Sequence, residues 1–170
     1  MDDVLVNKVA NSGIKTINLE KFFPEGAMMS WDIKQALFME MVLKEKDFRT
    51  YVKEFDWEQF KGANVAIYSS VDAIIPTWAF MLLSTKLNGI AKNIYFGTPE
   101  SMENDLWAKQ IENEDWQQYA GDRIVIKGCG DVFVSPSAYM KITEKLLPIA
   151  QSIMYGEPCS TVPIYKKPKA

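Results

Sequence analysis

A three-layer, Rossmann-like α/β fold is expected for this chain, on three observations. The chain repeats itself: at an offset of 59 residues, 56–101 falls on 115–160 without a gap, and 16 of 46 positions are identical, against roughly three expected by chance. Each copy reads as a short apolar run, a helix with proline near its start, and a second short apolar run. Apolar runs alternating with helices ask for a parallel sheet with right-handed crossovers. The expected architecture is two duplicated strand-helix-strand units in one sheet of order 2-1-3-4, preceded by an N-terminal strand and helical region. The 170 residues are expected to form a single α/β domain, with an N-terminal extension over 1–55 and repeats over 56–101 and 115–160.

Taken in order, residues 14–22 alternate enough for a strand, with Ile14, Thr16 or Ile17, and Leu19 apolar or branched. Residues 30–55 carry a helical stripe of Ile33, Leu37, Met41, Phe48, Val52 and Phe55, with a break expected near Lys44-Glu45-Lys46. Its simplest use is packing against the sheet. Residues 65–68 and 124–126 follow glycine turns, as buried strands do. Helices are expected over 76–88 and 136–147, where Pro76 and Pro136 suit a first turn and Ser135 suits a cap. Strands over 93–96 and 152–155 close the repeats. Between the halves, a helix to about residue 113 has Met102, Leu106, Trp107 and Ile111 for its apolar face. The segments Asp56-Trp57-Glu58-Gln59-Phe60-Lys61-Gly62 and Asp115-Trp116-Gln117-Gln118-Tyr119-Ala120-Gly121 read as architecture, each burying its aromatic residues at a turn from helix to strand.

Composition narrows the chemistry. With 48% hydrophobic and 24% charged residues, the chain is an ordinary soluble globular one. A net charge of -3 gives no basic field, so nucleic acid is not expected as a partner. The basic end Lys166-Lys167-Pro168-Lys169 is short and reads as solvated. No run reaches the roughly 18 apolar residues of a membrane span, and Met1-Asp2-Asp3 is not signal-like. Two cysteines are too few for a disulfide scaffold, which points to a cytoplasmic protein with reduced thiols. The absence of histidine excludes serine–histidine triads, histidine bases and histidine metal sites.

Ligands of open parallel sheets bind beyond the carboxyl ends of the strands. Ser69, Ser70 and Asp72 follow the first repeat strand, and Gly128, Cys129, Gly130 and Asp131 follow the third. If those strands are neighbours, Asp72 and Asp131, which are repeat mates, face each other. The loop after the fourth strand carries Cys159, so both cysteines are expected at one rim. Cys129 stands where the first repeat has Ser70, and Cys159 where it has Glu100. Glycines on both sides of Cys129 allow a tight bend or a close approach.

Two thiols beside a carboxylate suit zinc or an iron–sulfur cluster, with Cys129, Cys159 and Asp131 as candidate ligands. Two cysteines do not close a site, so Asp131, Glu157, Asp72 or a second subunit would have to complete it. The plainer alternatives are two small buried hydrophobes, or a thiol whose pKa Lys127 lowers. For Asp72 and Asp131 the plainer role is to brace a strand-to-helix turn. Gly128-Cys129-Gly130 is not a dinucleotide fingerprint, since the spaced third glycine is missing. No acid–base or nucleophile constellation is legible, so the residues do not decide whether the protein is an enzyme.

The segments Val125-Ile126-Lys127-Gly128-Cys129-Gly130-Asp131 and Gly156-Glu157-Pro158-Cys159-Ser160-Thr161-Val162-Pro163 resemble a bacterial domain-of-unknown-function family, number 2480. Leu43-Lys44-Glu45-Lys46-Asp47-Phe48-Arg49 and Ala73-Ile74-Ile75-Pro76-Thr77-Trp78-Ala79 look like it too, so the resemblance spans nearly the whole chain. It implies a genomic setting near the sulfur-mobilisation system for iron–sulfur assembly, and no catalytic residue.

Three functions follow as expectations. The first is a cytoplasmic accessory protein of iron–sulfur assembly or metal and sulfur handling, acting through Cys129 and Cys159 with iron–sulfur assembly proteins as partners. The second is a small-molecule or anion-binding module at the switch-point crevice, using Ser69, Ser70, Asp72, Gly128, Gly130 and Asp131 with helix N-termini. The third is a homodimeric interaction scaffold, whose face lies on the N-terminal helix or on Val162-Pro163-Ile164-Tyr165.

Overall fold

The structure is a computed structural model that describes residues 13–128, 130, 132–157 and 159–168. Its strands fall in two sheets, one of order β1-β5-β6-β7 and one of order β2-β3-β4. The single sheet of order 2-1-3-4 is therefore not formed. The reason is that a strand has only two hydrogen-bonding edges. Those of β3 (Asn64–Tyr68) are taken by β2 (Met28–Asp32) and β4 (Asn93–Phe96). Those of β5 (Arg123–Lys127) are taken by β1 (Ile14–Asn18) and β6 (Ser152–Glu157). The N-terminal region thus supplies one edge strand to each sheet, and β3 and β5 have no free edge with which to meet.

The chain divides into two compact units: an inner one, Glu25–Asp105, and a terminal one made of Met1–Pro24 with Leu106–Ala170. In the inner unit, β2 enters a 3-10 turn over Ile33–Ala36, and α1 follows over Glu45–Glu54. Only this last part of the expected 30–55 helix is α-helical. Trp31 and Ile33 are buried all the same, with Phe48 and Val52 of α1 in one core. Helix α2 (Thr77–Leu87) buries Ala79, Leu83 and Leu87 in the same core. All three strands run parallel. The start of β3 is fixed by the buried Asn64, which donates from Nδ2 to the Glu25 carbonyl at 3.0 Å and accepts from Asn93 at 2.7 Å.

In the terminal unit, β1 passes into a 3-10 turn over Leu19–Phe22. Helix α3 (Pro99–Glu112) starts in the inner unit's stretch of chain and places Trp107 and Ile111 in the terminal core. Helix α4 (Pro136–Leu146) adds Ala138, Ile142 and Leu146, packed with Ile124, Ile126 and Ile153 of the sheet. Ser135 occupies the N-cap position of α4 without a side-chain cap bond, while Pro136 sits in the first turn as expected. The final strand β7 (Ser160–Lys166) pairs antiparallel with β6 and was not expected from the sequence. No helix of the described residues is long and apolar enough to cross a membrane.

The 59-residue offset recurs in bonded detail. β3 and β4 begin in register at Asn64 and Asn93, and β5 and β6 at Arg123 and Ser152. The Trp57 indole donates to the Val52 carbonyl at 2.8 Å, and the Trp116 indole to the Ile111 carbonyl at 2.6 Å. Asp56 and Asp115 each accept the backbone N–H two residues on, at 3.1 and 3.0 Å. These turns are the architecture that their residue types suggest: a large ring buries, and its one donor ties the end of a helix to the strand that follows.

Candidate functional site

β5 and β6 are parallel neighbours, so the loops that carry the cysteines leave the same end of adjoining strands. Cys129 and Asp131 themselves lie outside the described residues. Cys159 is an exposed free thiol in the turn that joins β6 to β7, with Glu157 and Ser160 paired on either side of it. The two strand ends are tied by Lys127 and Glu157, whose charged groups lie 3.3 Å apart and half-exposed. At that exposure the pair contributes at most about 1 kcal/mol. It does settle which way Lys127 points: across to β6.

Space is tight at both glycines beside Cys129. Gly128 does not have the positive φ that would favour glycine. A Cβ on Gly128 would run into the Tyr139 hydroxyl and lie 3.0 Å from Val134 Cγ2. A Cβ on Gly130 would run into the Glu20 carboxylate, which accepts the Gly130 backbone N–H. Glu20 thus brings a negative charge to the cysteine loop from the turn after β1. Sequence reasoning missed it, although pairing β1 with β5 would have placed the residues after β1 at this rim.

In the inner unit the corresponding loop is held differently. Asp32 accepts the Lys34 N–H at 3.0 Å and the Ser70 N–H at 3.1 Å. Partial burial pulls its carboxyl upward, but hydrogen bonds from Ser70 and the Lys34 backbone, with the Lys34 charge, outweigh this and hold it below its ordinary 3.8. Asp32, at the end of β2, is therefore a brace of the Ser69–Ser70 turn that the sequence did not suggest. Ser69, Ser70 and Asp72 follow β3, whereas Gly128 and Gly130 follow β5. The two groups close different sheets, not adjoining strands of one. Among the described residues, no three cysteine, aspartate or glutamate side chains gather as a metal-holding group.

Beside the cysteine rim, the terminal unit has an apolar groove of about 840 Å³ between α4 and the β6–β7 hairpin. Val134 and Tyr139, the two residues that press on Gly128, line it, as do Tyr155 of β6 and Ile164 of β7. The groove is thus built from the same strands and loop as the cysteine rim.

The family model for DUF2480, proteins of unknown function, matches residues 3–167. The chain belongs to the DUF2480 family. The matched stretch takes in every strand and helix from β1 to β7, with both cysteine loops. No curated protein and no solved structure matches the chain.

Proposed function

We propose that this DUF2480 member is a cytoplasmic accessory protein of metal or sulfur handling, in which Cys129 and Cys159 act as a pair of thiolates. What supports this is the parallel pairing of β5 with β6, which sends both cysteine loops off one end of neighbouring strands. Thiolates select zinc, soft metals and iron–sulfur clusters, and Asp131 is the candidate further ligand. Iron–sulfur assembly proteins are the proposed partners. The doubled build belongs to the same proposal: the first repeat keeps the frame, and the second has exchanged Ser70 and Glu100 for the two thiols. Anaerobic purification is expected to yield bound metal or visible absorbance that is lost in Cys129→Ser and in Cys159→Ser. Full metal occupancy in both variants would overturn the proposal.

A second reading is favoured by the C-terminal strand. Val162 and Ile164 of β7 stand exposed, which supports an interaction scaffold whose face includes that segment. The small-molecule reading draws no such support, because Ser69, Ser70 and Asp72 follow a strand of one sheet and Gly128 and Gly130 a strand of the other.

A further inference from the structure

We propose that the apolar groove of the terminal unit is a binding site for one straight hydrocarbon chain, the alkyl part of a free fatty acid or alcohol. This goes beyond the thiol reading and does not depend on it. Shape argues for a chain. Along α4 the groove is lined by Pro136, Tyr139, Met140, Thr143, Glu144 and Leu147, which follow one another at three- and four-residue helical steps or as neighbours, in one unbroken stripe. That stripe runs about 16 Å, at roughly 1.5 Å per residue. Tyr155 and Ile164 line the groove from the β6–β7 hairpin. Its volume of about 840 Å³ lies within the roughly 300–1,000 Å³ of small-ligand sites. One helix stripe against one hairpin is far less than the roughly 800 Å² that a protein partner needs on each side.

Chemistry argues that the chain is held and its head is not. Apart from tyrosine hydroxyls, the polar lining is Thr143 and Glu144. The Thr143 hydroxyl donates to the Tyr139 carbonyl at 2.7 Å, and the Glu144 side chain is 70% exposed, 3.6 Å from Lys141. No lysine or arginine lines the groove, so an acidic head finds no partner in it and stays in water. The net charge of -3 gives no field to hold the protein at an anionic bilayer, which makes a free lipid the source. The repeat supplies an internal comparison. Ile126, Tyr139 and Tyr155 are mates of Ile67, Phe80 and Phe96, which line a depression at the same place in the inner unit. The ring pair is kept, with centroids 5.4 Å apart in the terminal unit and 4.9 Å in the inner one. Yet the inner depression holds only about 220 Å³. The terminal unit lengthens it with Leu147, where the inner unit has Asn88, and walls it with Ile164 of β7, a strand without a counterpart in the inner sheet. A shared frame alone would leave equal hollows in both units.

The test is isothermal titration calorimetry of the full chain with octanoate, decanoate, dodecanoate and tetradecanoate, each below its micelle concentration, and with dodecyltrimethylammonium. Affinity is expected to rise about twofold to fourfold for each methylene that the groove covers, and to level off once the chain is longer than the groove. Dodecanoate and dodecyltrimethylammonium, with heads of opposite charge, should bind with dissociation constants of the same order. Met140→Gln combined with Ile164→Gln should weaken dodecanoate binding about tenfold. Met81→Gln, at the repeat mate of Met140, should leave it unchanged. Both groove positions are mostly exposed, so folding should survive, and thermal unfolding checks that it does. No binding by the wild type, an affinity independent of chain length, or binding unmoved by the double groove variant would overturn the proposal. Co-sedimentation with phosphatidylcholine vesicles without binding of the free chains would overturn it too.

Discussion

Asp32 and Asn18 hold equivalent places at the ends of β2 and β1, and each accepts the backbone N–H two residues on. Asp32 also accepts the Ser70 N–H, so its loss frees two donors at once. Asp32→Ala should cost about 1–2 kcal/mol at pH 7, in the range of a lost cap, measured by urea unfolding. Because its carboxyl is held below 3.8 in the folded state, that contribution is present above the unfolded value and is lost as pH falls through the folded one. The gap between wild type and Asp32→Ala should therefore narrow on acidification, by the part that depends on the charge. Asp32→Asn, which copies Asn18, should keep most of the stability without this pH dependence. At Gly128 the cost is steric: Gly128→Ala should destabilise by about 1–3 kcal/mol, as overpacking does, through Tyr139 and Val134. Two glycines around Cys129 marked this loop in the sequence. Their reason did not show, because Glu20, which crowds Gly130, is 110 residues away.

Elements whose signal is local were the legible ones. The repeat strands, α2, α3 and α4 lie where periodicity, proline and glycine place them. The tryptophan turns were legible for the same reason, and they allow a direct check. Trp116→Phe keeps an aromatic ring but loses part of the buried indole together with the donor to the Ile111 carbonyl, so it should cost about 2–3 kcal/mol in chemical unfolding. Trp57→Phe should cost a similar amount through the Val52 carbonyl. Elements set by distant partners were not legible. Ser30 to Asp32 lies in the stretch expected to be helical, yet pairing with β3 makes it a strand. The 30–55 stretch then breaks at a turn where Met39 and Glu40 take φ of 50° and 58°, and Met41 leaves the core. β7 was hidden by Pro163, a residue that argues against a strand except at an edge, which is where it lies.

For the whole molecule, the repeat predicted the components but not their grouping into sheets. Strand count along the repeats favoured one sheet; the two N-terminal strands, which the 59-residue match does not contain, divide it into two. One consequence of the expected order survives, since β5 and β6 remain neighbours. The thiol proposal depends on that adjacency and on no contact between the sheets. Anaerobic titration with Co(II), read by its thiolate charge-transfer absorption, tests it most directly. The wild type should show a band saturating at a fixed metal-to-chain ratio, lost in each single serine variant and in the double variant. A wild type with no band, or a band that survives loss of both cysteines, would contradict it.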